Sequence, residues 1–548
     1  MPPGPAPWLR LAAALELDPR LARLAWLRGI DDPADLAWRT DPVWSRATDP
    51  YALEGVGNAV QCIRKAVAEG RPICIYGDYD VDGVTATALM VRVLERLGAK
   101  VGFFIPNRFS DGYGLNLDCI RELKSQADPS LVISVDCGIR SAEEVEASRE
   151  LGVEWVITDH HALGKGLPAA LAVVHPGLGG YSNPHLAGVG VAFKLAQALL
   201  DVRFPAGEEA AFLDGLLKLV AIGTIADMVP LQGENALLVR RGLLALRKSN
   251  GPGLKALLAA ARTGNAPGAM DIAFGVGPRL NAVGRMGGAE DAVRLLLTKD
   301  AETAAALMAR VEQLNADRKL VQQALVASLP PPDGAGFDLV VEPTAHKGVI
   351  GIVAGQRMRD SGLPTAVCTV LDGVAQCSLR APEGYDLGAL LELARPYLMT
   401  GGGHRLAAGM SFDVARLSLV HKTLVLGAEG QAATLTGPEV LIDASGTEDI
   451  PAALELEAFE PWGQGFPLPV ALIEGRLSRP PERFGEAHVR LRLDSVAEPL
   501  TWFSGGDQAA HFSKGQQVRV AATPQDHARW GRSWLVAGLL ESSGNPVP

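Results

Sequence analysis

Asp78-Tyr79-Asp80-Val81-Asp82-Gly83 sets three carboxylates at alternate positions directly after the apolar run Ile73 to Tyr76. Oxygen ligands crowded in this way suit a hard divalent cation such as Mg²⁺ or Mn²⁺. Without a cation, acids this close raise one another's pKa and repel. A calcium loop of the EF-hand type would need a Glu at its twelfth position, where Leu89 stands, and would follow a helix rather than a strand, so that chemistry is excluded. The bland alternative is an Asp-rich turn capping a helix that begins near Val84, but a cap needs one acid and not three.

Three more groups have the same character. Asp136 closes the run Leu131 to Val135, and Asp159-His160-His161 closes Trp155 to Thr158. Adjacent histidines can turn one ring to a metal and the other to a ligand, although such a pair is weak as a lone signal. Asp227 follows the apolar run Ala221 to Ala226, where an acid is costly unless it is paired or holds a metal.

The elements that must position these groups follow from the apolar pattern. Short β-branched or aromatic runs at Ile73 to Tyr76, Val101 to Ile105, Leu131 to Val135 and Trp155 to Thr158 are separated by helical stretches such as Val84 to Leu97 and Ala142 to Leu151. Alternation of this kind predicts an α/β domain with a parallel sheet, whose ligands sit beyond the carboxyl ends of the strands. All the candidate groups except Asp227 fall at those ends. A helical region from about Leu186 to Asp227 and a Gly-rich stretch from Phe274 to Gly288 come next. A long helix over Ala301 to Ser328 is stopped by Pro330-Pro331-Pro332, which marks the best domain boundary. Residues 335–430 read as a smaller α/β unit and residues 436–542 as a small β-barrel, while residues 1–50, with four of the nine tryptophans, read as a helical cap.

Composition restricts the classes further. With 548 residues, of which 48% are hydrophobic and 21% charged, the chain is long enough for three or four globular units, and no repeat or low-complexity tract is present. A net charge of -11 counts against a uniformly basic nucleic-acid binder but permits a local basic channel beside carboxylates that cations neutralise. Six cysteines with no C-x-x-C spacing argue against a zinc knuckle and a disulfide framework, and read as small buried residues in a reducing compartment. The longest apolar stretch, Leu216 to Val229, is interrupted by Lys218 and Asp227 and is too short to span a bilayer. The first residues carry charges that break up any secretion-signal core, so the expectation is a cytoplasmic protein with no membrane partner.

The ordered set D-x-D-x-D-G, strand-end Asp, D-H-H and Asp after an apolar helix resembles the DHH phosphoesterase superfamily. Gly401-Gly402-Gly403-His404 with Ala407-Ala408-Gly409 resembles the motif of its DHH-associated domain. Within the superfamily, five further segments are similar to its single-strand-specific 5′-to-3′ exonuclease branch: Pro106 to Gly114, Gly188 to Ala192, Pro278 to Met286, His346 to Val353, and Pro461 to Gly465. The resemblance covers about residues 50 to 540 and implies a DHH catalytic domain over residues 51–300, a connecting helix over 301–330, a substrate-binding DHH-associated domain over 335–430 and an OB-like nucleic-acid-binding barrel over 436–542. Larger members of that branch carry a further C-terminal segment that this sequence is expected to lack.

Carried over by motif, the resemblance implies that Asp80, Asp82, Asp136, His160 and Asp227 hold two Mn²⁺ or Mg²⁺ ions. Asp136 would bridge the pair, Asp78 would support or ligate the first ion, and His161 would contact the scissile phosphate. Substrate contacts are expected from Arg108, Tyr113, Arg279, Arg285, Ser378, Arg380, Gly402, Gly403 and His404, with Arg405 nearby. Phe484, Trp502, Phe503 and Trp534 lie near basic residues of the barrel, a composition suited to stacking unpaired bases. Two cations side by side can activate water and stabilise attacking and leaving oxygens together, so no Ser, Cys or Lys nucleophile is required. The expectation is a monomeric exonuclease of single-stranded DNA in repair and recombination, partnered by a RecQ-type helicase and a single-strand-binding protein. Rival readings are another DHH enzyme acting on short oligonucleotides, nucleotides or pyrophosphate, and a catalytically inactive replication scaffold; the presence of every expected ligand counts against the scaffold.

Overall fold

The computed structural model describes residues 6–108, 114–202, 207–248, 250–332, 334, 336–432, 441–451, 453–485, 488–503, 505–527 and 531–542. Its first sheet is wholly parallel. Strands β1 (Ile73–Gly77), β2 (Val101–Phe104), β3 (Leu131–Val135), β4 (Glu154–Thr158) and β5 (Ala172–Val174) run in the order β2-β1-β3-β4-β5. β1 and β3 are buried along their whole length, as central strands covered by helices on both faces must be. The chain leaves β1 for one edge and returns to β3 on the other side. That reversal opens a crevice at the carboxyl ends of β1 and β3, where Asp78 and Asp136 stand.

The helix after β1 runs from Val81 to Arg96, earlier than the apolar pattern alone indicates, because the Asp80 carboxylate accepts the Gly83 N–H at 3.1 Å and caps it. Most of the Gly-rich stretch is helical. Ile272–Val276 forms a π-turn that continues directly into the helix Gly277–Met286, which places Arg279 and Arg285 on a rigid element. The 28-residue helix Ala301–Ser328 then leads to the second sheet.

That sheet has the order β6-β7-β8-β10-β9, from β6 (Asp338–Val341), β7 (Thr365–Leu371), β8 (Val374–Arg380), β9 (Thr400–Gly403) and β10 (Ala407–Asp413). Register places Ser378 opposite Gly409, and Gly409 opposite Gly402. Cys368 and Cys377 face each other across β7 and β8 and form a disulfide, which corrects the expectation of six free thiols; the pairing depends on strand register and not on sequence spacing. Cys62, Cys74, Cys119 and Cys137 are not in disulfides.

The third sheet has seven strands in the order β11-β12-β16-β17-β15-β14-β13. They are β11 (Ala444–Ser445), β12 (Ala471–Arg476), β13 (Glu482–Phe484), β14 (His488–Leu491), β15 (Leu500–Trp502), β16 (Gln517–His527) and β17 (Gly531–Ser542). Its core is completed from far along the chain. Leu21, Leu24 and Leu36, on the N-terminal helices Pro19–Leu27 and Pro33–Thr40, pack with Phe459, Trp462 and Phe466. Arg39 is buried there with its guanidinium 3.5 Å from the Phe466 ring centre, donating to the carbonyls of Phe459 (3.2 Å), Pro461 (2.6 Å) and Leu231. One side chain thus ties the cap, the barrel and the first domain together. Among the described residues, no helix is long and apolar enough to cross a membrane.

Candidate metal centre and substrate groove

The parallel sheet delivers its strand-end residues to one place. Asp78 follows β1, Asp136 follows β3, and Asp159, His160 and His161 follow β4. Three groups of ligand atoms each lie within 4.8 Å of one another: Asp78, Asp80 and Asp136; Asp82, His160 and Asp227; and Asp136, His160 and His161. Asp136 and His160 therefore each belong to two groups. His160 Nε2 lies 3.2 Å from Asp136 Oδ1, 3.6 Å from Asp227 Oδ2 and 3.8 Å from Asp82 Oδ2. Asp136 itself adopts φ +61°, a left-handed conformation that a non-Gly residue keeps only where its surroundings enforce it.

Asp82 is held by backbone. The helix Gly188–Leu199 has Ala187 at its N-cap and no side-chain cap of its own. Its first N–H groups go instead to Asp82, from Gly188 to Oδ2 at 2.6 Å and from Val189 to Oδ1 at 2.9 Å. Gly223, on the helix Gly207–Ala226 that precedes Asp227, has no room for a side chain, since a Cβ would stand 2.3 Å from Thr85 Oγ1 and 2.9 Å from Asp82 Oδ1.

Asp159 is not a member of these three groups and stands behind His161. It accepts from the N–H groups of Ile139, His160 and His161 at 2.9, 2.7 and 3.1 Å, and pairs with His161 Nδ1 at 2.8 Å. Burial opposes its charge, yet the His161 contact and these N–H groups bring it down to about 2. His161 is raised because, against the cost of burial, it lies beside the Asp159 carboxylate. His175 secures the turn: its Nδ1 accepts from Gly177 N–H at 2.9 Å, which leaves Nε2–H to donate to the His161 carbonyl at 2.7 Å.

The electrostatics fit a cation site. Burial, and then neighbouring carboxylates, raise Asp82 to about 7 and Asp227 to about 9, and push Asp78 and Asp136 well up. Burial lowers His160 to about 4, so its imidazole is neutral and able to donate a lone pair. Asp78 Oδ1, Asp136 Oδ1 and His160 Nε2 are buried without a hydrogen-bond partner. Buried polar atoms with no partner are costly, and carboxylate oxygens with one imidazole form the donor set that Mn²⁺ and Mg²⁺ accept.

Beside the cluster, a groove of about 650 Å³ runs between the first two sheets, lined in part by Tyr79, Arg108, Lys347, Ser378, Gly402 and Gly409. Arg108 lies 5.1 Å from the Tyr79 ring centre, and Arg285 reaches across to the Gly348 carbonyl at 3.3 Å. Gly348 permits that approach, because a Cβ would stand 2.1 Å from the Arg285 carbonyl oxygen. Burial and the like charges of Arg108, Arg380 and Arg318 push Arg285 down to about 10, and burial with Arg108 lowers Arg380.

The other expected contacts divide. Arg279 is tied to Glu312 at 2.5 Å and to the Gly275 carbonyl at 2.8 Å, so it faces the connecting helix. Gly403 takes φ +144° with no space for a Cβ, while His404 is exposed on the hairpin that follows and Arg405 pairs with Glu383. Tyr113 lies outside the described residues. In the barrel, Trp502 and Trp534 are buried in the core, at 7% and 1% exposure, and offer no face to a base. Phe503 is half exposed and packs with Phe484 and His488, with Arg490 5.5 Å from the Phe484 ring centre. Lys347, Gly188 and Val189 fall in segments that carry the resemblance but were given no site role by the sequence; Lys347 sits at the start of its helix, and the other two act through backbone N–H groups.

Fold and cluster together define a DHH-domain protein, and residues 72–224 match the family described as DHH family, N-terminal domain. Residues 447–534 match the RecJ OB domain. The chain is 35% identical to the single-stranded-DNA-specific exonuclease RecJ of Bacillus subtilis (strain 168), over 93% of its own length and 66% of that protein's. It is 36% identical to the RecJ of Thermus thermophilus, over 92% of this chain and 72% of that one. The crystal structure of RecJ from Thermus thermophilus in complex with Mn²⁺ superposes with a TM-score of 0.82 at 32% identity, covering 98% of this chain and 78% of that one. The chain belongs to the RecJ family.

Proposed function

We infer that this protein is a metal-dependent exonuclease that hydrolyses phosphodiester bonds of single-stranded DNA from the 5′ end. The observation that carries the reading is the shared position of Asp136 and His160, each common to two ligand groups in one buried cage. Asp78, Asp80, Asp82, Asp136, His160 and Asp227 would hold two Mn²⁺ or Mg²⁺ ions, and RecJ of Thermus thermophilus has been crystallised in complex with Mn²⁺ and with Mg²⁺. When bound, such a pair polarises the phosphodiester, makes water a better nucleophile and offsets charge on attacking and leaving oxygens.

The chain's own residues supply the rest. Gly188 and Val189 fix Asp82, and Asp159 favours the protonated form of His161 and orients its ring toward a phosphoryl oxygen. Arg108, Ser378, Arg380, Gly402 and Lys347 belong to the groove wall or its strands and suit the phosphate of a strand end. Its 5′ polarity rests on the family resemblance of the motif set. Phe484 and Phe503 would stack bases further along the strand. The catalytic unit would span residues 51–300, followed by the connecting helix 301–330, the substrate-binding unit 335–430 and the barrel 436–542. A nuclease of unpaired strands acts where duplexes have been opened, so a RecQ-type helicase and a single-strand-binding protein in the cytoplasm are its proposed partners.

The test is release of nucleotides from 5′-labelled single strands in Mn²⁺, with 3′-labelled strands, short RNA and pyrophosphate as comparison substrates. Asp136→Ala is expected to abolish release with the fold intact by circular dichroism. Retained activity in the variant, or cleavage of pyrophosphate or short RNA alone, would overturn the assignment.

A further inference from the structure

A second cavity, of about 460 Å³, opens next to the metal centre, between the turn after Asp227, the π-turn, and the connecting helix. Its wall contains Met228 and Phe274, which are 70% and 73% exposed, the largest exposures among the exposed large apolar side chains of the described residues. Met228 immediately follows Asp227 and is held there at φ +61°. Phe274 projects from the π-turn, a distortion that commonly marks a functional position.

The opposite wall is cationic. Arg285 and Arg318 both line the cavity. Arg318 comes from the middle of the connecting helix, where Asn315 and Gln322 accept from its two terminal nitrogens at 2.9 Å each. Its Nε is buried without a partner, and neither arginine has a carboxylate within ion-pair distance among the described residues. Neutral amides thus orient Arg318 without neutralising it, and Arg108, Arg380 and Arg318 act on Arg285 as like charges. Asp80 acts on Arg285 from beyond ion-pair distance, and desolvated guanidinium groups with no carboxylate in direct contact favour an anion from outside.

We propose that this cavity is a nucleotide subsite for the body of the strand, in which Arg318 and Arg285 bind a phosphodiester and Phe274 and Met228 pack against its base. The inference rests on the reading of the protein as a single-strand nuclease and assigns Arg318 as a binding residue on what is otherwise a connector. The groove at Arg108 and Ser378 then holds the strand end, and the metal centre divides the two.

The test compares the wild-type protein with Arg318→Ala, Arg318→Lys and Phe274→Ala on single strands of two to ten nucleotides in Mn²⁺. Arg318→Ala is expected to raise KM for ten-nucleotide strands about tenfold, more than for dinucleotides, with the loss falling on KM and not on kcat. The slope of log affinity against log salt should fall by about 0.7, the value of one phosphate contact on a single strand. Arg318→Lys should restore the salt slope but not the full KM, because ammonium supplies the charge without the fork. A KM and salt slope that are unchanged in Arg318→Ala, or a loss equal at every strand length, would overturn the subsite. Failure of the wild-type protein to cleave single strands at all would instead remove the nuclease reading beneath it.

Discussion

Gly188 lies so close to Asp136 that a Cβ built on it would stand 2.6 Å from both the Cβ and the Oδ1 of that carboxylate. The same residue donates its N–H to Asp82. Gly188→Ala must therefore move one acid or release the other. Displacements of about 1 Å near reacting groups cost on the order of 100-fold, so kcat in Mn²⁺ should fall by about that factor while the thermal midpoint changes little. Wild-type turnover in this variant would show that the cage tolerates displacement.

The metal-free protein should lose stability as pH rises. Asp82 and Asp227 titrate near 7 and 9 in the fold, above the ordinary carboxylate value of 3.8. A raised pKa means that the unfolded chain gives up its proton first, so stability is full below about pH 4 and declines as pH climbs through the folded values. Melting curves from pH 5 to 9 in EDTA and in saturating Mn²⁺ should therefore diverge, with the gain from Mn²⁺ largest at high pH. A gain that is constant with pH would contradict the buried acid cluster.

Phe503 and Trp534 separate binding from packing in the barrel. Phe503→Ala should weaken single-strand affinity by about 1 to 3 kcal/mol with little change in stability. Trp534→Ala should instead destabilise the fold by about 3 to 5 kcal/mol. Urea denaturation and fluorescence anisotropy on the two variants distinguish these outcomes.

Arg39→Met keeps the stem volume but strands three buried carbonyls. Each lost bond to a charged donor is worth about 1.5 to 3 kcal/mol, so the loss of three is expected to cost about 4.5 kcal/mol or more in urea titrations. Limited proteolysis should then cut first between the N-terminal helices and the first sheet.

The cluster of acids and histidines was legible because most of its residues follow strand ends, which a parallel sheet gathers at one rim whatever the spacing between them, while Asp227 joins them from the end of a helix. What the apolar pattern could not give was anything that depends on partners distant in sequence. The disulfide needed the β7–β8 register, and Asp82 needed the N–H groups of a helix about 100 residues away. Arg279 and Arg285 share one helix, but only their angular positions decide that the second lines the cavity beside the metal centre and the first meets Glu312. In the barrel, the two tryptophans and the two phenylalanines share a composition, and only the facing of each strand separates core from surface.

The dependence of the N-terminal helices on the barrel has a consequence for biosynthesis. Arg39 and the carbonyl of Phe459 are 420 residues apart in the chain. At ribosomal speeds of about 5 to 20 residues per second, Leu21, Leu24 and Leu36 remain without their packing partners for tens of seconds after they emerge. During that interval the nascent chain presents a greasy helical hairpin to its surroundings, a natural target for chaperones, and premature termination before the barrel would leave that hairpin permanently uncovered.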